Sequence, residues 1–277
     1  MRIAAGLAAL FILTGCQSMF FYPDTTLRYH PDLTSAAPKD VLFSSYDNTT
    51  LHGWYIETKS EPVKGTIFFL HGNAQNISFH IHSLLWLTYS GYNIFAFDYR
   101  GYGISKGEPD IKGVLDDSLA AFDLLMSGEA AETDSVIILG QSMGGALAIN
   151  VAAMSEHRDR IAAVVTDSAF ASWREIYRQK AGGLIVTWPF QYPMSWFIND
   201  DYAPERFINN IPEHIKILII HNKDDKLVPS SHAEQLKEAA KERNAGLWLM
   251  DYEGHVTVNN HELFRKMFLA YLDSLSE

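Results

Sequence analysis

One cysteine occurs in 277 residues, Cys16, so neither an internal disulfide nor a cysteine-based metal site can form. Lys and Arg are also scarce, 22 against 33 Asp and Glu, for a formal charge of −11. Nucleic-acid binding needs clustered Lys and Arg, so this balance argues against such a partner and is read as solubility. No run of like charge marks a tail, and no H-E-x-x-H pattern exists. His80 and His82 are two apart and point to different sides of a helix, so no metal is expected. No cofactor is implied. No apolar run reaches the ~20 residues that span a bilayer. Repeats and low-complexity linkers are absent as well. With 47 % apolar residues, the chain can bury a core that needs no cross-link.

What the N-terminus does contain is ordered like a secretory signal: Arg2, the apolar run Ile3–Leu13, then Leu13-Thr14-Gly15-Cys16. The last four residues resemble a bacterial lipobox, in which the cysteine becomes the lipidated first residue of the mature protein. That resemblance implies a signal peptide over 1–15, a lipidated tether over 16–40 and a place in the bacterial cell envelope. Gln17, rather than Asp, resembles outer-membrane sorting in a Gram-negative cell. A plain signal peptide or a short buried helix is the alternative. Acyl chains on Cys16 would anchor firmly, since each buried CH₂ contributes about 0.8 kcal/mol and more than one chain is needed.

From Val41 onward strand and helix patterns alternate. Val41–Tyr46 and Leu51–Glu57 read as a hairpin around Asp47-Asn48-Thr49-Thr50. Continuous apolar runs at Thr66–Leu70, Ile94–Phe97, Val136–Leu139, Ala163–Thr166, Ile217–Ile220 and Leu247–Met250 suit parallel strands covered on both faces. Between them, Val114, Leu115, Leu119, Phe122, Leu125 and Met126 make one helical face, and Ala146–Met154 another. Leu263, Phe264, Met267, Phe268, Tyr271, Leu272 and Leu275 form a final stripe. The fold class is therefore α/β, a mostly parallel sheet with helices on both sides, over 41–277. Ligands in such sheets bind at the carboxyl ends of the strands. Residues 173–212 show no clear strand and hold Trp173, Tyr177, Trp188, Phe190, Tyr192, Trp196 and Phe197. That stretch reads as a small helical cap, with an extra core helix as the alternative.

Gly140-Gln141-Ser142-Met143-Gly144 is G-x-S-x-G with a strand before it and a helix after it. This context puts a serine on a sharp turn with Oγ exposed, so Ser142 is the candidate nucleophile. A serine needs a base within reach, and the base needs an orienting carboxylate. His255 alone follows the last strand and precedes the final helix; His261, at the helix start, reads as solvent-facing. For the acid, the loop after Ile217–Ile220 offers Asp224 and Asp225, and spacing does not separate neighbours; Asp224 suits a turn. Asp251 reads as support for the histidine loop. A tetrahedral intermediate needs oxyanion donors, here the backbone N–H groups of Met143 and of Asn73 after His71-Gly72. His71 itself reads as structural.

The chain resembles the α/β-hydrolase superfamily from about Val41 to its end. The segments His71-Gly72-Asn73-Ala74-Gln75-Asn76, Asp98-Tyr99-Arg100-Gly101-Tyr102-Gly103 and Gly140-Gln141-Ser142-Met143-Gly144-Gly145 are similar to a subgroup that includes membrane-associated serine hydrolases. The stretch from His221 to Pro229 is similar to the family's H-G-x-x-D-x-x-V-P loop, with Asn222 where Gly is usual. That alignment puts the acid on Asp225. Asp98 and Arg100 resemble a structural pair. The aromatic cap suggests an apolar acyl group and the anchor places the site near lipid; both favour hydrolysis of an ester or thioester through an acyl-enzyme, on a small-molecule or lipid substrate at the membrane. A peptidase on the same fold and a non-catalytic anchored scaffold are the alternatives. Sequence gives no oligomeric state.

Overall fold

The computed structural model describes residues 21–28, 35–128, 135–183, 189 and 191–275; Cys16 and the signal segment lie outside them. Eight strands make one sheet: β1 Lys39–Ser44, β2 Thr50–Ile56, β3 Gly65–Leu70, β4 Tyr92–Asp98, β5 Val136–Gln141, β6 Ile161–Asp167, β7 Lys216–Asn222 and β8 Gly246–Met250. Their order is β1-β2-β4-β3-β5-β6-β7-β8. Only β2 runs against its neighbours, pairing antiparallel with β1 and β4; the other pairings are parallel. All the expected strands are present. The hairpin strands lie slightly earlier than expected, because the turn closes from Ser45 to Thr49, with Asn48 at φ +65°.

The central strands bury both faces, which is why they read as unbroken apolar runs. Along β3, Phe68 and Leu70 enter one core while Ile67 and Phe69 enter the other. In β5, Ile138 faces the first and Ile137 and Leu139 the second. This period of two divides the protein into layers, and each fully buried large side chain contributes about 1.5–3 kcal/mol. Helices α1 Ile111–Ser127 and α2 Met143–Met154 cover the first face. Helix α2 is buried nearly all round, as its sequence without a polar face requires. After α3 Trp173–Gly182 and α4 Ser231–Ala239, helix α5 Glu262–Asp273 closes the second face through Phe264, Phe268 and Leu272. Its stripe is narrower than expected, since Leu263 and Met267 are exposed.

Asp98 and Arg100, read as scaffold, each make structural contacts, and Asp98 accepts the Ile77 N–H at 2.8 Å. The Arg100 guanidinium forks onto Asp117 of α1, Nη2 to Oδ1 at 2.7 Å and Nε to Oδ2 at 3.0 Å, and its Nη1 reaches Asp47 at 2.9 Å. It thereby ties α1 to the β1–β2 turn. The tether expected over 16–40 is docked over 21–28. Phe21 is buried 6.3 Å from the Trp173 ring, and Tyr22–Pro23 pairs in parallel with Ala74–Gln75. The Asn76 side-chain amide donates to the carbonyls of Asp24 and Thr26, at 2.8 and 2.9 Å, so this backbone has partners on the domain.

The described residues within 173–212 hold α3, a helix at Gln191–Ser195 and a one-turn helix at Pro204–Phe207, and no strand. Ser172 caps α3 by accepting the Glu175 N–H at 3.1 Å. Arg174 donates to the carbonyls of Ser195 and Ile198, which fastens the second helix to the first. Trp188 and Phe190 lie outside the described residues. The remaining cap aromatics divide: Trp173 is buried against Phe170 at 4.7 Å, whereas Tyr192, Trp196 and Phe197 are exposed.

Candidate active site

Ser142 follows β5 and precedes α2 with φ +55° and ψ −114°. A non-glycine residue in this region costs about 1–3 kcal/mol, so its surroundings must hold it. Two glycines permit the turn. A Cβ on Gly140 would stand 2.1 Å from the Gly144 carbonyl oxygen, and one on Gly144 would stand 1.9 Å from that of Leu70. The Ser142 N–H donates to the Asp167 carbonyl at 2.8 Å, and the Ser142 carbonyl accepts from Gly145 at 3.0 Å. Met143 is the first residue of α2, where backbone N–H groups lack an intrahelical acceptor.

The loop after β3 passes beside this turn. A Cβ on Gly72 would lie 3.6 Å from the Ser142 Cβ. Asn73 is held from two sides. The Tyr102 hydroxyl bonds to its carbonyl and to its Oδ1, and the Tyr22 N–H donates to Oδ1 at 3.2 Å. The docked N-terminal segment therefore supports the loop that carries Asn73.

On the other side, β7 and β8 each deliver one loop. His255 Nδ1 donates to Asp225 Oδ2 at 2.6 Å. Asp225 Oδ1 accepts the N–H groups of Leu227 and Val228, at 2.8 and 3.0 Å. Burial alone would raise the Asp225 carboxyl, but the His255 hydrogen bond and charge with these two N–H groups outweigh it, so it ionises below the ordinary carboxylate range. Asn222, in the place where the resemblance expects glycine, donates through Nδ2 to the Gly254 carbonyl and Thr257 Oγ1, both at 2.9 Å. The departure from glycine thus joins the two loops. His255 stands between Gly254 at φ +91° and Val256 at φ +56°. Its Nε2 is buried without a hydrogen-bond partner. β5, β6, β7 and β8 are successive parallel neighbours, so the loop that carries His255 leaves the sheet at the same edge as the serine turn.

The competing residues fall elsewhere. Asp224 is exposed. Asp251 does not brace the histidine loop; it pairs with Lys223 at 2.7 Å on the surface. His261 stacks on Tyr252, rings 3.6 Å apart and 4° from parallel.

The family described as serine aminopeptidase, S33 matches residues 61–212. The uncharacterized protein YfhR of Escherichia coli (strain K12) is 34 % identical, over 91 % of this chain and 87 % of its own. The chain belongs to the S33 hydrolase family. This hydrolase is also similar to the α/β-hydrolase domain-containing protein WAV2 of Arabidopsis thaliana, 29 % identical over 85 % of this chain and 78 % of that one. In fold it is similar to the Pyrococcus furiosus esterase Pf2001, at TM-score 0.71 and 23 % identity, over 92 % of this chain and 97 % of that one. The Pyrococcus horikoshii acylaminoacyl peptidase gives TM-score 0.63 and 18 % identity, over 85 % of this chain and 41 % of that one.

Other groups of the hydrolase surround this centre. His71 is buried; its Nδ1 donates to the Gly72 carbonyl at 2.7 Å, and its Nε2 lies 3.4 Å from Asp98 Oδ1. Burial drives the His71 imidazole well below its ordinary value and pushes the Asp98 carboxyl up to about 8. Burial thus favours the uncharged form of both, and they shape the loop. Sequence reasoning missed Asp167, the last residue of β6. It is buried, its Oδ2 has no hydrogen-bond partner, and burial pushes its carboxyl up to about 7. Its position at a strand end was the available signal. His80, weighed only as a metal ligand, stacks on His71 at 5.4 Å and bonds to the Ala74 carbonyl at 2.7 Å. Among the described residues no cluster of three His, Cys, Asp or Glu could hold a metal ion, and no helix is long and apolar enough to cross a membrane.

Proposed function

We propose that this hydrolase is a serine carboxylesterase or thioesterase, with Ser142 as nucleophile, His255 as base and Asp225 as acid. One observation carries the reading: His255 is held by Asp225 at 2.6 Å, with its other nitrogen buried and unpartnered, in a loop at the same sheet edge as the strained turn of Ser142. In this mechanism His255 Nε2 takes the proton from Ser142 Oγ as Oγ bonds to the acyl carbonyl carbon. The Met143 and Asn73 amides hold the oxyanion, His255 gives its proton to the departing alcohol or thiol, and water, activated the same way, releases the acid. Catalytic hydrogen bonds are often long before substrate binds, which suits a triad whose Ser–His contact closes on binding.

The apolar acyl group and the lipid-anchored place in the cell envelope, through Cys16, belong to the same proposal. Its support is the lipobox-like Leu13–Cys16 together with the docking of Phe21 beside the site. Two clefts of about 690 and 740 Å³ border the cap but are lined by polar residues such as Glu205, Gln235 and Arg178; neither includes Ser142 or His255. They therefore lend no support to an acyl tunnel through the cap. The family description favours one second reading, hydrolysis of an aminoacyl amide.

Fluorophosphonate labelling of the wild type and of Ser142→Ala tests the nucleophile; equal labelling of both ends the reading. A panel of acyl esters, thioesters and aminoacyl amides of graded chain length then separates the substrates. Turnover of the amides alone transfers the assignment to a peptidase, and absence of both labelling and turnover to a scaffold.

A further inference from the structure

The cap and site loops expose large apolar side chains that the fold does not use. Tyr22, Phe79, Trp196, Phe197 and Leu227 are 46–72 % exposed. Each belongs to an element anchored at the carboxyl ends of the strands. Tyr22 is registered on Ala74, next to Asn73. The Phe79 ring packs edge-on against His80 at 5.7 Å, and His80 Cε1 is 3.3 Å from where a Gly72 Cβ would stand. Leu227 gives its N–H to Asp225. Trp196 and Phe197 follow Ser195, whose carbonyl is bound by Arg174 of α3, and α3 begins at Trp173, against Phe21.

Exposed apolar residues scattered singly are ordinary, and Leu42, Tyr89 and Met154 are of that kind. The rim differs in kind. Among the described residues the exposed Trp and Phe side chains are Phe79, Trp196 and Phe197, and all three lie on these elements. Trp and Phe on one face are the side chains that enter the boundary between lipid headgroups and acyl chains.

The N-terminal segment says what covers this face. Phe21 is fixed beside the loop that carries Asn73, and five peptide links lead back from it to Cys16. At about 3.4 Å per link these reach roughly 17 Å, close to half a bilayer's hydrocarbon thickness. An acylated Cys16 would thus keep the part of the domain around Phe21, beside the site rim, near the membrane. The formal charge of −11 means that apolar contact, not attraction to anionic lipid, would have to hold it there.

We propose that the rim of the site, formed by Tyr22, Phe79, Trp196, Phe197 and Leu227, rests on a lipid bilayer, so that Ser142 faces lipid and meets acyl substrates at its surface. This rests on the reading of Cys16 as a lipidated anchor.

The test uses the full chain with its own anchor, reconstituted in phosphatidylcholine vesicles with or without brominated acyl chains, and reads tryptophan emission. Brominated lipid is expected to quench the wild type, and Trp196→Phe to lose about half or more of that quenching. Trp248→Phe, altered beneath α5 between Phe264 and Tyr271, is expected to keep it. Equal quenching in wild type and Trp196→Phe overturns the proposal, as does failure of the chain to float with vesicles. Self-association without lipid that Trp196→Phe abolishes also overturns it and assigns the face to a second copy. None of these readouts needs turnover, so their failure is distinct from failure of Ser142 to label. A second readout is hydrolysis by the Phe79→Ser/Phe197→Ser variant. A long-chain ester held in vesicles should be cleaved about tenfold more slowly, and a soluble short-chain ester at the wild-type rate. Equal loss on both substrates overturns the proposal.

Discussion

The Tyr102 hydroxyl lies 2.6 Å from the carbonyl oxygen of Asn73 and 2.8 Å from its Oδ1. One proton serves two acceptors of the same residue, and Tyr102 is itself buried. The ring therefore sets the height of the loop after β3 relative to Ser142. Tyr102→Phe keeps the packing and removes the bond. Expected are a fall in kcat of about tenfold with KM nearly unchanged, and a stability loss of about 1–2 kcal/mol. Steady-state kinetics and urea unfolding check both. An unchanged kcat would show that the loop plays no part in the rate.

Adjacent aspartates give a sharp comparison. Asp225 is buried and holds His255, while Asp224 is exposed. Asp225→Asn should leave the fold intact and lower kcat by about 10³–10⁴-fold, because the amide favours the wrong imidazole tautomer. Asp224→Asn should stay within about twofold of wild type. The reverse ranking moves the acid to Asp224.

A methyl group at Gly144 meets the Leu70 carbonyl oxygen at 1.9 Å, main chain against main chain. Neither side can yield without moving β3 or the serine turn. Gly144→Ala is expected to cost about 2–4 kcal/mol and to abolish fluorophosphonate labelling. Gly183→Ala is the control, since its Cβ meets nothing closer than 3.5 Å. Thermal unfolding of the pair measures the difference.

Asp167 makes stability depend on pH in an unusual direction. Burial raises its carboxyl from the ordinary 3.8 to about 7, so between these values the folded state binds more protons than the unfolded state. Its contribution is complete below pH ~4 and is lost as pH rises through ~7. Asp167→Asn should thus be neutral near pH 4 and stabilising at pH 8, by on the order of 1–3 kcal/mol. Urea midpoints at the two pH values decide it; a variant less stable at pH 8 would contradict the assignment.

The Arg100–Asp117 fork is almost wholly buried, with the two side chains 9 % and 0 % exposed. Arg100→Ala leaves the Asp117 carboxylate uncompensated and should cost about 3–5 kcal/mol. Pairing Arg100→Met with Asp117→Leu should recover most of that loss. Chemical denaturation of the single and double variants tests the ordering.

The sheet was legible because strands buried on both faces cannot hide their composition. Runs such as Ile137, Ile138 and Leu139 have no polar partner to obscure them. The serine turn was legible because glycine is required where main chains meet at Gly140 and Gly144. Docking of Phe21 was not, since the short run Met19-Phe20-Phe21-Tyr22 before Pro23 is too brief to set a period. Nor was the Arg100 partner, which is 17 residues away in α1 and follows no spacing rule. Asp167 escaped notice because an aspartate closing a strand is ordinary in sequence. Only the third dimension shows its second oxygen without a donor.

Lys64 and Asp273 join at 2.7 Å, which brings the last turn of α5 to the entrance of β3. Pro23 lies against the loop at that strand's exit. The six residues of β3 separate these points by about 20 Å. A bulky domain fused directly ahead of Phe21 would stand beside the loop that carries Asn73. Cargo fused behind α5 would be carried at the entrance of β3, away from the loop at that strand's exit.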